Sequence, residues 1–372
     1  MDLEGGHRKA TRSIDVLVIG AGQAGLSSAH FLKAAGIDHV VVEAGVSVGD
    51  NWRYRYESLS LFTPRNMSGL PGLPLAGNPD GYATGSEFAD YLTRYALTGS
   101  HRVDMQTRVR CLNRTDRGFE AEATDGRRYV ARVVIVATGG FQIPNLPILA
   151  ADFGPDIRQM HVAEFRVASD VEHGPVLVVG DGASGRDVAL AFAGQQSVTL
   201  ARGRPRKLFP EKLFGRSAWW WLNKTGLLAA NRDSIVGRRM RRMDPFPARG
   251  NDDRTLQRGG VYLVPRLVKV LGDEAVFADG GRMRPKTVIW ATGYRDDFGW
   301  IAIDAAKGPN GGVLHEEGMS PVEGLHFVGR PWQRNRASGL IIGAADDAGI
   351  IVAKIDKFLG RQSRLPLEQA SV

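Results

Sequence analysis

The chain has 372 residues, 43% hydrophobic and 24% charged, with a net charge of +8 and one cysteine, Cys111. That length suits two domains or one large one, and the composition is globular rather than fibrous or disordered. A single cysteine excludes internal disulfides and any C-x-x-C redox pair.

No apolar run reaches the roughly 18 residues of a membrane-crossing helix, so no stable membrane insertion is expected. Residues 1–13 are polar and basic and lack the apolar stretch of a secretory signal. They read as a flexible lead-in, and a cytoplasmic location is the expectation. The charge is uneven: residues 200–260 hold fifteen Lys and Arg against five Asp and Glu, which leaves the remainder slightly acidic.

In chain order, Asp15 and the apolar run 16–19 meet Gly20-Ala21-Gly22-Gln23-Ala24-Gly25, a G-x-G-x-x-G. A helical pattern follows to Leu32, and a second apolar run, 40–42, ends at Glu43. Strand, tight turn, helix and parallel strand suit a dinucleotide. Gly20 permits the turn, Gly22 lets a pyrophosphate approach, and Gly25 lets helix and strand pack closely. The N–H groups at the helix start then face the phosphates. Glu43 stands where a carboxylate accepts from a ribose hydroxyl.

The glycine-rich stretch 45–53 reads as a loop passing a ligand, where Trp52 either packs beside a bound ring or plugs the core. Residues 61–74 are punctuated by proline and glycine, which predicts an irregular, functional loop. Ser86 is the expected cap of a helix whose buried face is Phe88, Tyr91, Leu92 and Tyr95. Short strands are expected as a first pair at 103–105 and 109–112, then as a hairpin, 119–123 with 128–131, about Asp125-Gly126. The buried strand 133–137 ends at Thr138, Gly139 and Gly140, where a ligand can come close.

Residues 176–179 and Gly180-Asp181-Gly182-Ala183-Ser184-Gly185 repeat the opening motif, followed by a helix and the strand 197–200. This strand does not end in an acid. It runs into Ala201-Arg202-Gly203-Arg204-Pro205-Arg206-Lys207. A carboxylate there would repel a 2′-phosphate, whereas arginine pairs with it by charge-assisted hydrogen bonds. Arg202 first, and Arg204 second, therefore point to NADPH over NADH, with a solvated basic loop as the bland alternative.

Residues 208–260 read as a helical insertion. Its Trp219-Trp220-Trp221 run lines an entrance, touches a membrane surface, or serves as core or as an oligomer contact compatible with a homodimer. The arginines of 238–242 read as a solvated face, and without a reading motif they do not predict nucleic-acid binding. The strand 287–291 then reaches Thr292 and Gly293, mirroring the earlier Ala-Thr-Gly end, so the chain holds two related units, the second inserted in the first. A last strand ends at Gly329. The final helix, which contains Asp347 and runs to Phe358, either points its N-terminus at a bound ring or simply closes the domain.

Two glycine loops, Gly49-x-x-Trp52, both Ala-Thr-Gly strand ends and the terminal Gly-Leu/Asp-Ala stretch resemble, as an ordered set from Asp15 to about Leu359, the flavin-containing monooxygenases. Within that family the chain resembles bacterial proteins similar to the plant YUCCA enzymes. The resemblance implies an α/β fold of two Rossmann-like dinucleotide-binding domains, the NADPH domain inserted in the FAD domain. It implies an FAD-binding domain at 13–165 and 287–360 and an NADPH-binding domain at 166–286 with the insertion at about 208–260. Residues 1–12 and 361–372 would be flexible termini.

The implied cofactor-binding residues form three groups. The first is Gly20, Gly22, Gln23, Ala24 and Gly25 with Glu43, Ala44, Asn51 and Trp52, with Trp52 near the flavin. The second is Gly180, Gly182, Ala183, Ser184 and Gly185 with Arg202 and Arg204. The third is Thr138, Gly139, Thr292, Gly293, Gly329 and Asp347. Some positions depart from the family. Of its F-x-G-x-x-x-H-x-x-x-(F/Y/W) fingerprint only the part from His161 to Phe165 is kept, since Pro155 and Ile157 replace the Phe and Gly. The asparagine that animal members carry near the flavin is not in place in 61–66.

The implied activity is NADPH reduction of FAD, capture of O2 as a flavin C4a-(hydro)peroxide, and oxygenation of a small organic substrate at nitrogen, sulfur or a carbonyl carbon. The cofactor carries that chemistry, so no catalytic side chain and no metal is assigned. Two other readings stay open: an NADPH-dependent flavin oxidoreductase or oxidase without oxygen transfer, and a non-catalytic nucleotide-sensing regulator.

Overall fold

The computed structural model describes residues 11–204, 208–243 and 246–360. The chain opens with β1 (Thr11–Ile19), α1 (Gln23–Ala34) and β2 (His39–Val42). The short α2 (Asp50–Arg53) and α3 (Gly85–Thr98) precede β3 (Val103–Asp104), β4 (Val109–Thr115), β5 (Gly118–Ala123) and β6 (Arg128–Val136). Then come β7 (Ile143–Pro144), β8 (Arg158–His161), β9 (Val176–Val179), α4 (Ala183–Ala191) and β10 (Val198–Ala201). The insertion holds β11 (Leu208–Pro210), β12 (Lys212–Leu213), β13 (Arg216–Ser217), α5 (Ala218–Lys224), α6 (Ile235–Met243), β14 (Phe246–Ala248) and α7 (Asp253–Arg258). Next are β15 (Val261–Val264), β16 (Leu267–Leu271), β17 (Glu274–Phe277), β18 (Arg282–Met283) and β19 (Thr287–Trp290). β20 (Tyr294–Arg295), β21 (Leu325–Phe327) and α8 (Ile341–Phe358) close the chain.

Two sheets carry the molecule, in the α/β, doubly Rossmann-like arrangement expected. The first runs β3-β2-β1-β6-β5-β4, with β5 antiparallel along the start of β6 and β21 parallel along its end. The second runs β15-β10-β9-β19-β8 and is parallel throughout. β9, β10, β15 and β19 thus repeat β1, β2, β3 and β6, and β8 stands where β21 stands. The central strands are apolar on both faces because both faces are covered. Leu26, Leu92 and Ile351, from α1, α3 and α8, pack on one side of the first sheet, and Phe119, Phe298 and Ile301 on the other. In the second sheet Val188 and Leu256 cover one face and Phe277 the other.

Several expectations shift. β1 begins at Thr11, within the stretch expected as a lead-in, and Arg12 pairs with Asp104 at 3.2 Å. Residues 1–10 and 361–372, like Pro205, Arg206 and Lys207, lie outside the described residues. The helix cap is Thr84, not Ser86. Thr84 Oγ1 accepts from Glu87 N at 3.1 Å and Glu87 Oε2 from Thr84 N at 2.8 Å, the reciprocal box that S/T-x-x-E spacing provides. β3 pairs with β2 and β4 with β5, so these two short strands are not partners.

The second sheet takes β8 from before residue 166 and β19 from after residue 286, because strand pairing rather than chain continuity assigns them. The insertion mixes short strands with its helices. Its tryptophans are not alike: Trp219 is buried against Phe209, Leu228 and Ala337, while Trp220 and Trp221 are half-buried.

Candidate functional site

At the first loop, Gly20 has φ +105° and donates to Val42 O at 2.8 Å, which ties the end of β1 to β2. A Cβ at Gly25 would lie 1.8 Å from Gly20 O, whereas one at Gly22 would meet nothing within 4 Å. Gly22 is the N-cap of α1, makes no side-chain cap, and the first turn holds no acid. The first N–H groups of α1, at Gln23 and Ala24, therefore keep no capping side chain. Glu43 accepts from Ala21 N and Gly45 N, each at 2.8 Å, which holds its carboxylate beside the loop. Ala44 is exposed next to it, and Asn51 is exposed on α2.

The second loop repeats this geometry. Gly180 has φ +106° and donates to Ala201 O at 2.9 Å, and a Cβ at Gly185 would lie 1.8 Å from Gly180 O. Gly182 caps α4 without a side-chain bond, and no acid sits in the first turn, which contains Ala183 and Ser184. Arg202 donates its backbone N–H to Val264 O as Glu43 does to Asp104 O, so Arg202 takes the structural place of Glu43. Its Nη2 lies 2.6 Å from Asp253. Arg204 is exposed nearby.

Residues 52–56 join the two loops. Trp52 Nε1 points to Gln23 Oε1 at 3.4 Å, and its ring stands edge-on to Phe88 with centroids 5.0 Å apart. Trp52 packs against the cores of both units, so it plugs the junction as well as facing the first loop. Tyr56 is buried, and its hydroxyl lies 3.4 Å from Ser184 Oγ and 3.2 Å from Asp187 Oδ2. Residues 52–56, at most about 14 Å of backbone, thus link the start of α1 to the start of α4. Burial, then the Asp187 carboxylate, raises the Tyr56 hydroxyl well above its usual range, so it stays a donor. Burial also raises the Asp187 carboxyl.

The two Ala-Thr-Gly ends meet across the antiparallel ribbon of β7 and β20. Gln142 Nε2 bonds Thr138 Oγ1 and Gly139 O, each at 2.9 Å, and Asn145 N donates to Gly293 O at 3.0 Å. Asn145 Nδ2 reaches Thr292 O at 3.3 Å. His161, the kept part of the fingerprint, places Nε2 3.0 Å from Gly293 O; burial lowers its pKa. Phe141 and Tyr294 stand edge-on at 5.1 Å and flank the Arg55 guanidinium.

A Cβ at Gly329 would lie 2.7 Å from that of Ala24, so the end of β21 closes directly onto the first loop. Asp347 is 1% exposed, on the buried face of α8, where Oδ1 accepts from Arg334 Nε at 2.7 Å and Oδ2 has no hydrogen-bond partner among the described residues. Burial raises its carboxyl pKa. Sequence reasoning passed over Tyr56, Asp181, Arg186 and Asp253. Asp181 was visible inside the glycine motif; Asp253 is brought in only by the return of the insertion.

Pyridine nucleotide-disulphide oxidoreductases, as a family, match residues 17–209. An uncharacterized CzcO-like oxidoreductase of Geobacillus kaustophilus is 39% identical over 92% of this chain and 98% of its own. A probable indole-3-pyruvate monooxygenase, YUCCA9 of Arabidopsis thaliana, is 26% identical over 79% of this chain and 78% of its own. A solved flavin-containing monooxygenase from Stenotrophomonas maltophilia matches with a TM-score of 0.78 at 24% identity, over 94% of this chain and 99% of that one.

Proposed function

The chain belongs to the pyridine nucleotide-disulphide oxidoreductase family, and from that membership we propose that it is an FAD- and NADPH-dependent monooxygenase of a small organic substrate. The likeness to YUCCA proteins and to a flavin monooxygenase structure agrees with the resemblance read from the sequence. The observation that carries the proposal is the pair of uncapped helix starts. The chain caps the start of α3 with a full capping box, yet α1 and α4 begin at glycines with no side-chain cap and no acid in the first turn. Such starts suit pyrophosphates.

FAD, when bound, accepts a hydride from NADPH and activates O2 for transfer to nitrogen, sulfur or a carbonyl centre. The chain's part is to bind, orient and exclude water. On this reading, the unit built on the first sheet holds FAD, and the unit built on the second sheet, with β8 and β19, holds NADPH. The start of α1 takes the FAD pyrophosphate, and Glu43 accepts from its ribose. The start of α4 takes the NADPH pyrophosphate, and Arg202 and Arg204 take the 2′-phosphate. Trp52 and Tyr56 stand between the two loops, and Phe141 and Tyr294 stand beside the two strand ends.

The family name also covers disulphide reductases, but Cys111 is the sole cysteine and has no partner thiol in the chain. An oxidase without oxygen transfer is the reading that competes. FAD-loaded protein mixed with NADPH and a panel of amines, sulfides and ketones decides between them. A compound that raises NADPH-linked O2 uptake while lowering H2O2 release supports oxygen transfer. O2 recovered wholly as H2O2 with every compound favours the oxidase, and a protein that retains no FAD defeats both.

A further inference from the structure

The second glycine loop differs from the first in where its carboxylates stand. At the first, one acid, Glu43, ends β2 and binds Ala21 N. At the second, Arg202 takes that place and the acid has moved into the loop: Asp181, 7% exposed, accepts from Gly203 N at 2.8 Å. A chain of alternating charge runs on from it. Asp181 lies 3.5 Å from Arg186, Arg186 lies 2.8 Å from Asp253, and Asp253 lies 2.6 Å from Arg202.

The two arginines are used differently. Arg186 is 5% exposed and also donates to Asp181 O and Asn251 O, so the protein engages it fully. The Arg202 side chain is 43% exposed and gives Asp253 one nitrogen. Asp253 is equally open, at 44%. Arg202 follows β10 in the corner that Glu43 occupies in the first unit, and Asp253 reaches it from the first turn of α7.

We infer that Asp253 is a specificity-determining residue that sets the preference of this site between NADPH and NADH. The inference rests on the second loop being a nicotinamide-nucleotide site. A 2′-phosphate gains most from a guanidinium whose charge is not already matched. Asp253 matches part of the Arg202 charge and stands as a like charge beside any phosphate that Arg202 holds. A 2′-hydroxyl carries no charge and is spared this, while Asp181 remains close by as an acceptor. Asp253 therefore keeps the preference for NADPH below what Arg202 alone would give.

The test is equilibrium titration of FAD-loaded protein with NADP⁺ and with NAD⁺, read from the flavin spectrum, for wild type, Asp253→Asn, Asp253→Ser and Asp253→Glu. Asparagine keeps a neutral acceptor for Arg186, serine removes the charge by a different shape, and glutamate keeps the charge. Asn and Ser variants should bind NADP⁺ about two- to fivefold tighter with NAD⁺ unchanged. The gain should shrink in high salt, and Glu should keep the wild-type ratio. Weaker NADP⁺ binding in the neutral variants, or an equal shift for both nucleotides, would overturn the role given to Asp253. A wild-type protein that binds neither nucleotide would instead overturn the reading of the loop.

Discussion

Gly22 and Gly25 share one turn, yet alanine at each should fail for a different physical reason. A Cβ at Gly25 would stand 1.8 Å from the carbonyl oxygen of Gly20, and the obstacle is backbone. Ordinary heavy-atom contact is about 3.5 Å, so the β1–α1 turn would have to open. Overpacking of this kind costs about 1–3 kcal/mol. In a domain of this size each kcal/mol lowers the midpoint by about 2–4 °C.

At Gly22 the same Cβ meets nothing within 4 Å, and φ −76° is ordinary for any residue. Exchanging one N-cap residue that lacks a side-chain bond for another costs at most about 1 kcal/mol. Gly22→Ala should therefore leave the apoprotein nearly intact and place its methyl where the pyrophosphate must approach. The assay pairs the thermal midpoint of flavin-free protein with flavin bound per chain after reconstitution. Gly25→Ala should lower the midpoint; Gly22→Ala should keep it and lose FAD. A Gly22→Ala protein that binds FAD like wild type, or a Gly25→Ala apoprotein that melts with wild type, would refute the reasoning.

Arg202→Ala should raise the Michaelis constant for NADPH and leave that for NADH nearly unchanged, a loss of about 1.5 kcal/mol for a half-exposed charge-assisted pair; equal effects on both cofactors would contradict the assignment. Tyr56→Phe removes the hydroxyl that reaches Ser184 and Asp187. It should weaken NADP⁺ binding by about 1 kcal/mol without lowering FAD content, measured by titration and flavin absorbance. Burial lowers the His326 pKa from 6.5 to about 4. Its folded-state value is depressed, so its contribution to stability is complete above pH 6.5 and is lost as pH falls toward 4. His326→Leu should remove up to about 3 kcal/mol of that acid dependence, seen as a flatter curve of unfolding free energy against pH across this window.

The parts of the molecule that follow from local rules were legible in the sequence. Both glycine loops, both Ala-Thr-Gly ends and the parallel strands between them need particular residues at fixed spacing, because a turn without Cβ atoms and a fully covered strand permit few alternatives. Thr84 was legible too, through its three-residue spacing to Glu87, but Ser86 lay nearer the apolar run. β8 was not. Arg158–His161 is a short edge strand with no apolar alternation, and only its pairing with β19 defines it. Asp347 shows the limit at a site: its pairing with Arg334 was not legible, because Arg334 arrives from a loop whose path no local pattern gives. The ion chain through Asp253 is non-local in the same way, joining the glycine loop, the end of β10 and the insertion.

Everything rests on two cofactors meeting in one crevice, and anaerobic rapid mixing of FAD-loaded protein with NADPH tests this most directly. Adjacent rings require the oxidised flavin band to bleach at a rate that saturates with NADPH. A flavin that stays oxidised at saturating NADPH, in protein that binds both cofactors, would contradict it.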